Sequence, residues 1–534
     1  MMADRTAAAP GLSSESQAAA LGEPFGSFSA VLADWARIQP SKPALRDDYG
    51  AEITWGELGD RVERIAARLV ETGLEQGQSV AILGTSDVNY ALVFLAAVHA
   101  GGVAAPLTTS ASRDQLIGMA RDSGTRHIFI DAAKAAELGA DFLPDLQHVP
   151  LGELDDWMAP AGTRAAPFAP QRGDPFNIIY SSGTTGIPKG IVQSHLMRWR
   201  QYAGTGASLL TNEREVEALA STPLYSNTTM VAFLGPLLAG GTVNITGKFD
   251  CERWLTVAQD RGVTMTMLVP VQYQRLMDFA RFDEFDLSAM ALKFCTSAPF
   301  SAELKAEVLR RMPGNLVEIY SMTEGGVVCL LQCHEFPDKL HTVGRPGPGS
   351  ELRVLDDQDR PVAPGQAGNL VGRSQTMMSG YKNQPDKTAE GLWIDPEAPD
   401  GDDGVWQRMG DIGRIDDDGF VELVGRAKDM IISGGFNIYP IDLENELDRE
   451  AGVVESAVIG MPSRKWGETP VGFVTIDPAA GNDVQSVMTA VNARVGKTQR
   501  LSALYAIDEM PRSHIGKLLK ADLRKLAETL FSEG

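Results

Sequence analysis

The stretch YSSGTTGIPKG, Tyr180 to Gly190, holds three glycines, four serine or threonine hydroxyls and one lysine. Glycines let backbone N–H groups approach phosphate oxygens, and hydroxyls add neutral donors that can rearrange as charge moves. Gly183, Gly186 and Lys189 are not spaced as G-x-x-x-x-G-K-[ST], and the loop does not match G-x-G-x-x-G. A polyphosphate is expected here, held by Ser181, Ser182, Gly183, Thr184, Thr185 and Gly186, with Lys189 orienting its far end.

Four further stretches carry groups that suit such a ligand. EIYSMTEGG (Glu318–Gly326) offers an aromatic ring for stacking at Tyr320, a hydroxyl for a phosphate at Thr323 and a carboxylate for Mg²⁺ at Glu324. RMGDIG supplies Asp411, an isolated acid in a glycine turn that can accept both hydroxyls of a ribose. GRAKDMIISGGFNIYP (Gly425–Pro440) joins Arg426 to a two-glycine loop, and PRSHIGKLLK (Pro511–Lys520) presents Lys517 after a glycine.

The elements that must position these groups are legible as alternation. Apolar β-rich runs at Ser79–Leu83, Arg126–Ile130, Thr264–Val269, Leu292–Ser297 and Leu316–Ser321 are separated by helical patterns such as RVERIAARLVETG, where Val62, Ile65 and Leu69 share a face and Gly73 can cap. Asn177–Tyr180 reads as a strand, and the residues after Tyr180 read as loop until a helix near Ser194. The fold class is α/β: a large N-terminal domain of mixed and parallel sheets flanked by helices, a small β-rich subdomain, and a small mobile α+β C-terminal domain. From Val343 the texture changes to short strands broken by Gly, Pro and Asp, and after Lys428 a second α/β pattern begins with a helix from Ile441. The expected division is a disordered tail over residues 1–25, an N-terminal domain over 26–427 and a C-terminal domain over 428–534.

With 534 residues, 43% of them hydrophobic, the chain can bury a sizeable core and exceeds one ordinary domain. A formal net charge of −22 repels nucleic acid and anionic membranes, so an anionic substrate must be drawn in by a local site. Four cysteines are no disulfide framework and imply a reducing, cytoplasmic setting. Tyr90–Leu107 is the most apolar stretch and reads as a buried helix ending at Gly101, so no integral membrane segment is expected. The terminal FSEG is no lipidation or peroxisomal address. A homodimer is compatible with this surface.

In this order and spacing the motifs resemble the adenylate-forming superfamily of acyl-CoA synthetases, peptide-synthetase adenylation domains and firefly luciferase, over about Phe28 to Leu519. The resemblance implies ATP-dependent activation of a small-molecule carboxylic acid to an acyl-adenylate, then transfer to coenzyme A. It implies Lys517 as the catalytic lysine, Thr184 and Glu324 at the departing pyrophosphate, and Mg²⁺ on Glu324. Tyr320 would stack on adenine, with Ser321 and Met322 beside it. Ser297, Ala298 and Pro299 would line the base site, and Asp411 with Arg426 would hold the ribose. Lys428 falls at the hinge about which the C-terminal domain rotates, and Ser433, Gly434 and Gly435 line the channel for the pantetheine arm. A lysine about 4 Å from two anions is worth about 1 kcal/mol to each in water and about 4 at an effective dielectric of 20.

Departures from the commonest pattern fall around the acyl pocket, expected to comprise Tyr225, Ser226, Asn227, Met230 and Ile319. Ser226 stands where the family often has a histidine, Ile319 where a glycine is common, and Ile432 where a lysine is often found. A β-branched residue at Ile319 fills space that flat aromatic acids occupy in some relatives, which favours an aliphatic or irregular hydrophobic acid. YSNTTM (Tyr225–Met230) has no aspartate to pair with an α-ammonium group, which disfavours amino acids. The alternatives are an acyl-AMP ligase loading a carrier protein, a luciferase-like oxygenase, and a nucleotide-binding regulator without turnover. Cys329, Cys333 and His334 lack metal-site spacing and read as buried or incidental. His195 reads as a hydrogen-bonding residue at a helix start, and Asp395–Gly404 as a solvated loop.

Overall fold

The computed structural model describes residues 14–181, 189–211, 215–398, 404–433, 436–478, 481, 483–497, 499–513 and 517–531. The amphipathic pattern that begins at Trp55 becomes the helix Trp55–Glu71, which buries Trp55, Leu58, Val62, Ile65 and Leu69. A capping box starts it: Glu57 N–H donates to Thr54 Oγ1, and Glu57 Oε2 accepts from Thr54 N–H. Gly73 at φ +96° lets the chain turn away after it. This helix packs on Val88–His99, which is apolar on every side because it lies inside the domain.

Two large sheets form the N-terminal domain. One runs, in spatial order, through Gly380–Tyr381, Lys189–Ser194, Pro175–Ser181, Val103–Pro106, Ser79–Leu83, His127–Ile130 and Gln147–Pro150. Its last five strands are parallel, and the first two pair antiparallel. The second sheet is centred on the parallel strands Thr242–Ile245, Glu217–Ala220, Met265–Leu268, Leu292–Cys295 and Asn315–Met322. Thr242–Ile245 and Met265–Leu268 at its centre are buried throughout, as parallel strands covered on both faces must be. A small antiparallel sheet over Ser350–Leu355, Gly368–Ser374, Val405–Ile415, Leu392–Ile394 and Val421–Arg426 forms the β-rich portion.

The chain after Lys428 builds its own sheet from Ile431–Ser433, Phe436–Ile438, Val453–Ser463, Gly467–Ile476 and Ala503–Ala506. Alternation along Val453–Ser463 sends Val458 into one core, with Leu443, Leu447 and Val491, and Ala457 and Ile459 into the other, with Leu523 and Ala527. Among the described residues no helix is long and apolar enough to cross a membrane.

Several expectations need correction. The stretch read as a disordered tail contains the helix Ser14–Gly22. Leu21 is buried in the core, and Gln17 donates to Asp34 Oδ2 at 2.9 Å, so the segment has both an apolar and a polar anchor. Lys189–Ser194 is a strand rather than loop, held by antiparallel pairing with Pro175–Ser181. Asp411 lies inside the strand Val405–Ile415, not in a turn, although Gly410 before it has φ +70°. Asp395 is buried rather than solvated, because Arg353 Nη1 donates to it at 2.5 Å.

Candidate active site

Thr323 and Glu324 lie just past the carboxyl end of the parallel strand Asn315–Met322, where open α/β sheets leave their crevices. Asn315–Met322 and Gly325–Gln332 form a hairpin in which Met322 pairs with Gly325, so Thr323 and Glu324 occupy its two-residue tip. Gly325 has φ +90°, and a Cβ there would fall 2.0 Å from the Thr376 carbonyl oxygen. Only glycine fits that approach. Glu324 Oε1 accepts from the Tyr381 hydroxyl at 2.9 Å, and the Lys189 ammonium lies 4.9 Å from the centre of the same tyrosine ring. Lys189 and Glu324 thus meet at one aromatic side chain.

A second cluster forms around Asp411. In the strand pair Asp411 faces Arg426, whose Nε lies 3.0 Å from Asp411 Oδ1. Tyr320 Oη donates to Asp411 Oδ2 at 2.7 Å, so the ring expected to stack on a base is fixed at its hydroxyl end. Burial raises the Asp411 pKa, and Arg426, Tyr320, Lys517 and Lys428 pull the other way. Burial likewise pushes the Tyr320 phenol well above its usual value, so it stays a donor.

Lys517 reaches this cleft from the C-terminal domain. Desolvation first, and repulsion by Arg426 second, hold its pKa below the usual lysine value. Glu324 and Asp411 attract it, and Lys428 repels it. Three cations (Arg426, Lys428, Lys517) therefore face two carboxylates (Asp411, Glu324), a formal excess of +1 inside a protein of net charge −22. Such a local reversal attracts an anion that the whole molecule repels. Lys428 sits in the short turn Ala427–Asp429, and Asp429 pairs with Arg524 of the last helix at 3.0 Å, tying the turn to the C-terminal domain.

The residues expected at the acyl pocket and at the base site gather differently. Tyr225, Ser226 and Met230 are buried, Asn227 and Ile319 half-buried. Ser297 holds φ +83°, a region costly to a residue with a Cβ, and its Oγ lies 2.5 Å from Thr228 Oγ1. Thr296 Oγ1 donates to the Ile319 carbonyl at 2.6 Å. Ala298 is half-buried and Pro299 exposed, while Ser321 and Met322 are half-buried on the hairpin strand that leads to Thr323. Ser433 is buried at the end of its strand, where it pairs with Gly467.

Ser182, Gly183, Thr184, Thr185 and Gly186 lie outside the described residues, as do Gly434 and Gly435. Of Ser181 only the backbone is described, opposite Lys189.

His195 departs from expectation. Its backbone N–H donates to the Asp174 carbonyl at 2.9 Å, but both ring nitrogens are buried without a partner among the described residues. The ring packs edge-on to Phe176 with centroids 5.0 Å apart, and burial lowers its pKa to about 4. Cys329 and Cys333 are buried free thiols, as their spacing implied. Sequence reasoning missed Tyr381, Gln193 and Arg198. Tyr381 lies 57 residues from Glu324, and no local signal joins the two.

Comparison with known proteins identifies the family. The AMP-binding enzyme family matches residues 32–382, and the AMP-binding enzyme C-terminal domain matches 442–517. The chain belongs to the AMP-binding enzymes. Within that adenylate-forming superfamily it is an AMP-forming acid–CoA ligase, using ATP and coenzyme A. It is 33% identical over 498 residues to a feruloyl-CoA synthase of Amycolatopsis sp, covering 92% of this chain and 97% of the relative. It is 30% identical to an indoleacetate–CoA ligase of Aromatoleum aromaticum, covering 94% and 99%. The crystal structure of ATP-bound MatB from Rhodopseudomonas palustris superposes with a TM-score of 0.82 at 28% identity, covering 94% of this chain and all of that one. The lysine, the hairpin tip and the Asp411–Arg426 pair thus fall in an enzyme built to adenylate.

Proposed function

We propose that this enzyme activates an aliphatic or irregularly shaped hydrophobic acid in the cytoplasm, with Lys517 guiding the carboxylate onto the α-phosphate of ATP. The observation that carries the reading is the meeting of Lys517 with Arg426, Asp411 and Glu324 in one cleft. A carboxylate oxygen bonds to the α-phosphorus as the bond to the bridging oxygen breaks and pyrophosphate leaves. No general base is required, since the acid is already ionised at neutral pH. Lys517 stabilises the two approaching anions, Thr323 meets the α-phosphate, and Asp411 accepts from the ribose hydroxyls beside Arg426. The thiolate sulfur of coenzyme A then bonds to the acyl carbon, and AMP departs with the electron pair of the C–O bond. Lys428 serves as the hinge between the two steps, and Ser433 flanks the thiol channel.

Glu324 fits a Mg²⁺ ligand: one oxygen is held by Tyr381, which leaves Oε2 to face a cation. Among the described residues no cluster of three or more His, Cys, Asp or Glu could hold a metal, so phosphate oxygens must complete the shell. Bound there, Mg²⁺ would supply charge neutralisation for the departing pyrophosphate.

On the acyl side, Ile319 packs against the main core that also holds Met230, and its β-branched side chain supports the irregular-acid reading. The test is AMP release with Mg²⁺-ATP and a panel of ferulate, indole-3-acetate, decanoate and a bicyclic propanoic acid, with and without coenzyme A, the thioesters read by mass spectrometry. Coenzyme A-dependent AMP release highest for decanoate or the bicyclic acid is expected. The feruloyl-CoA synthase and the indoleacetate–CoA ligase take planar aromatic acids, and a clear preference for ferulate here would overturn the irregular-acid reading.

A further inference from the structure

Arg198 is fully buried in the helix that comes after the strand Lys189–Ser194. Its guanidinium donates from Nε to Asn177 Oδ1 at 2.8 Å, and from Nη1 to Gln201 Oε1 at 2.9 Å and Tyr202 Oη at 3.1 Å. Nη2 donates to Gln193 Oε1. Every acceptor is neutral, and among the described residues Arg198 forms no ion pair. A buried cation without a counter-ion does not favour folding, and an apolar side chain of similar volume is often neutral or better.

What the cation does is orient an amide. Arginine is a donor only, so Gln193 must turn Oε1 toward it. Asn177 Nδ2, opposite Gln193 in the strand pair, donates to the same oxygen at 3.1 Å. Gln193 Nε2 is thereby aimed the other way, donating to the Thr323 carbonyl at 2.9 Å and to Asn227 Oδ1 at 3.4 Å. That second bond occupies the oxygen of Asn227 and leaves its Nδ2 as the group to meet a bound molecule.

We infer that Arg198 and Gln193 are positioning residues that fix the polarity of the acyl and phosphate stretches together. Gln193 ties the hairpin tip at Thr323 to the acyl stretch at Asn227, and Arg198 prevents its amide from flipping. The acid is then read by an N–H donor at Asn227, which selects an acid carrying an acceptor oxygen within reach of that amide. The inference rests on the proposed roles of Thr323 and Asn227.

The test uses Gln193→Glu and Arg198→Met in the full chain with the same panel of acids. Gln193→Glu supplies Arg198 with a counter-ion but removes the donor, so the melting temperature is expected to hold or rise while kcat/KM for the acid falls about 10-fold or more. Arg198→Met is expected to keep its melting temperature and raise the acid KM about 10-fold, with Arg198→Lys recovering most of that loss. Wild-type enzyme silent with every acid would overturn the functional reading and the inference with it. Active wild type with variants that keep its acid KM and kcat would overturn the inference alone. So would activity that falls only with the folded fraction and is not recovered by Arg198→Lys.

Discussion

The two sides of the cleft are built from opposite materials. On the nucleotide side Asp411 is held by Arg426 and Tyr320, Glu324 by Tyr381, and Lys517 arrives as a further charge. On the acyl side the links are neutral: Thr296 to Ile319 and Gln193 to Asn227, with Thr228 joined to Ser297 of the expected base stretch. Charge-assisted bonds are shorter and about twice as strong as neutral ones, so they suit a ligand whose phosphates and ribose never vary. Neutral hydroxyls and amides leave a hydrophobic acid to be selected by shape and by single hydrogen bonds. If this division holds, mutations on the two sides separate into effects on ATP and effects on the acid.

The largest break is expected at Lys517. Lys517→Ala should slow acyl-adenylate formation by about 10³-fold, in keeping with loss of a main electrostatic stabiliser. It should leave thioester formation from synthetic acyl-adenylate within about 3-fold, as the proposed turn of the C-terminal domain about Lys428 between the two steps requires. Pyrophosphate exchange and thioester assays read the two steps; equal loss of both would remove the two-state assignment. The same residue sets a pH limb. Its pKa is lowered, so the ammonium is lost as pH rises through a value below the usual 10.5. Lys517→Arg, which keeps its charge, should abolish that alkaline limb of the exchange rate.

Next in size is Asp411→Ala, which leaves Arg426 and the Tyr320 hydroxyl without their partner. The KM for ATP should rise by about 10- to 100-fold, as for loss of a charged hydrogen-bonding group, with the acid KM changed by less than about 3-fold. A parallel rise in both constants would erase the proposed division. Tyr381→Phe tests the same side more gently: freeing Glu324 Oε1 should raise the Mg²⁺ concentration needed for half-maximal rate by about 5-fold. An unchanged Mg²⁺ dependence would place Glu324 outside the metal's reach.

The smallest effect is expected where the base and acyl stretches meet. Ser297→Gly relieves a positive φ and should stabilise the fold by about 1 kcal/mol, while the lost bond to Thr228 shifts the KM values for ATP and for the acid by no more than a few-fold. A fall in melting temperature would show that the hydroxyl pair contributes more than the backbone strain costs.

Much of the site was legible because its residues sit in local motifs. Glu318–Gly326 carries its aromatic ring, hydroxyl and carboxylate within a few neighbours, and Val62, Ile65 and Leu69 had to share a helix face. Asp411 and Arg426 were expected to work together from resemblance, and the strand register places them opposite. The misreadings arose where long-range partners decide. Lys189–Ser194 has little strand signature of its own and is a strand because Pro175–Ser181 pairs with it. Asp395 looked solvated within an acidic run until Arg353, 42 residues earlier, closed on it. His195 looked like a polar cap, but aromatic packing against Phe176 and Phe168 claims its ring.

The sequence by itself determined the class of fold, because apolar period and glycine placement act over a few neighbours, and its motifs carried the resemblance that implied the chemistry. Tertiary structure alone decided the polarity of the acyl side. Asn177, Gln193, Arg198, Asn227 and Thr323 come from four separate segments, and the orientation of one amide depends on a buried cation whose meaning appears only when its acceptors are found to be neutral.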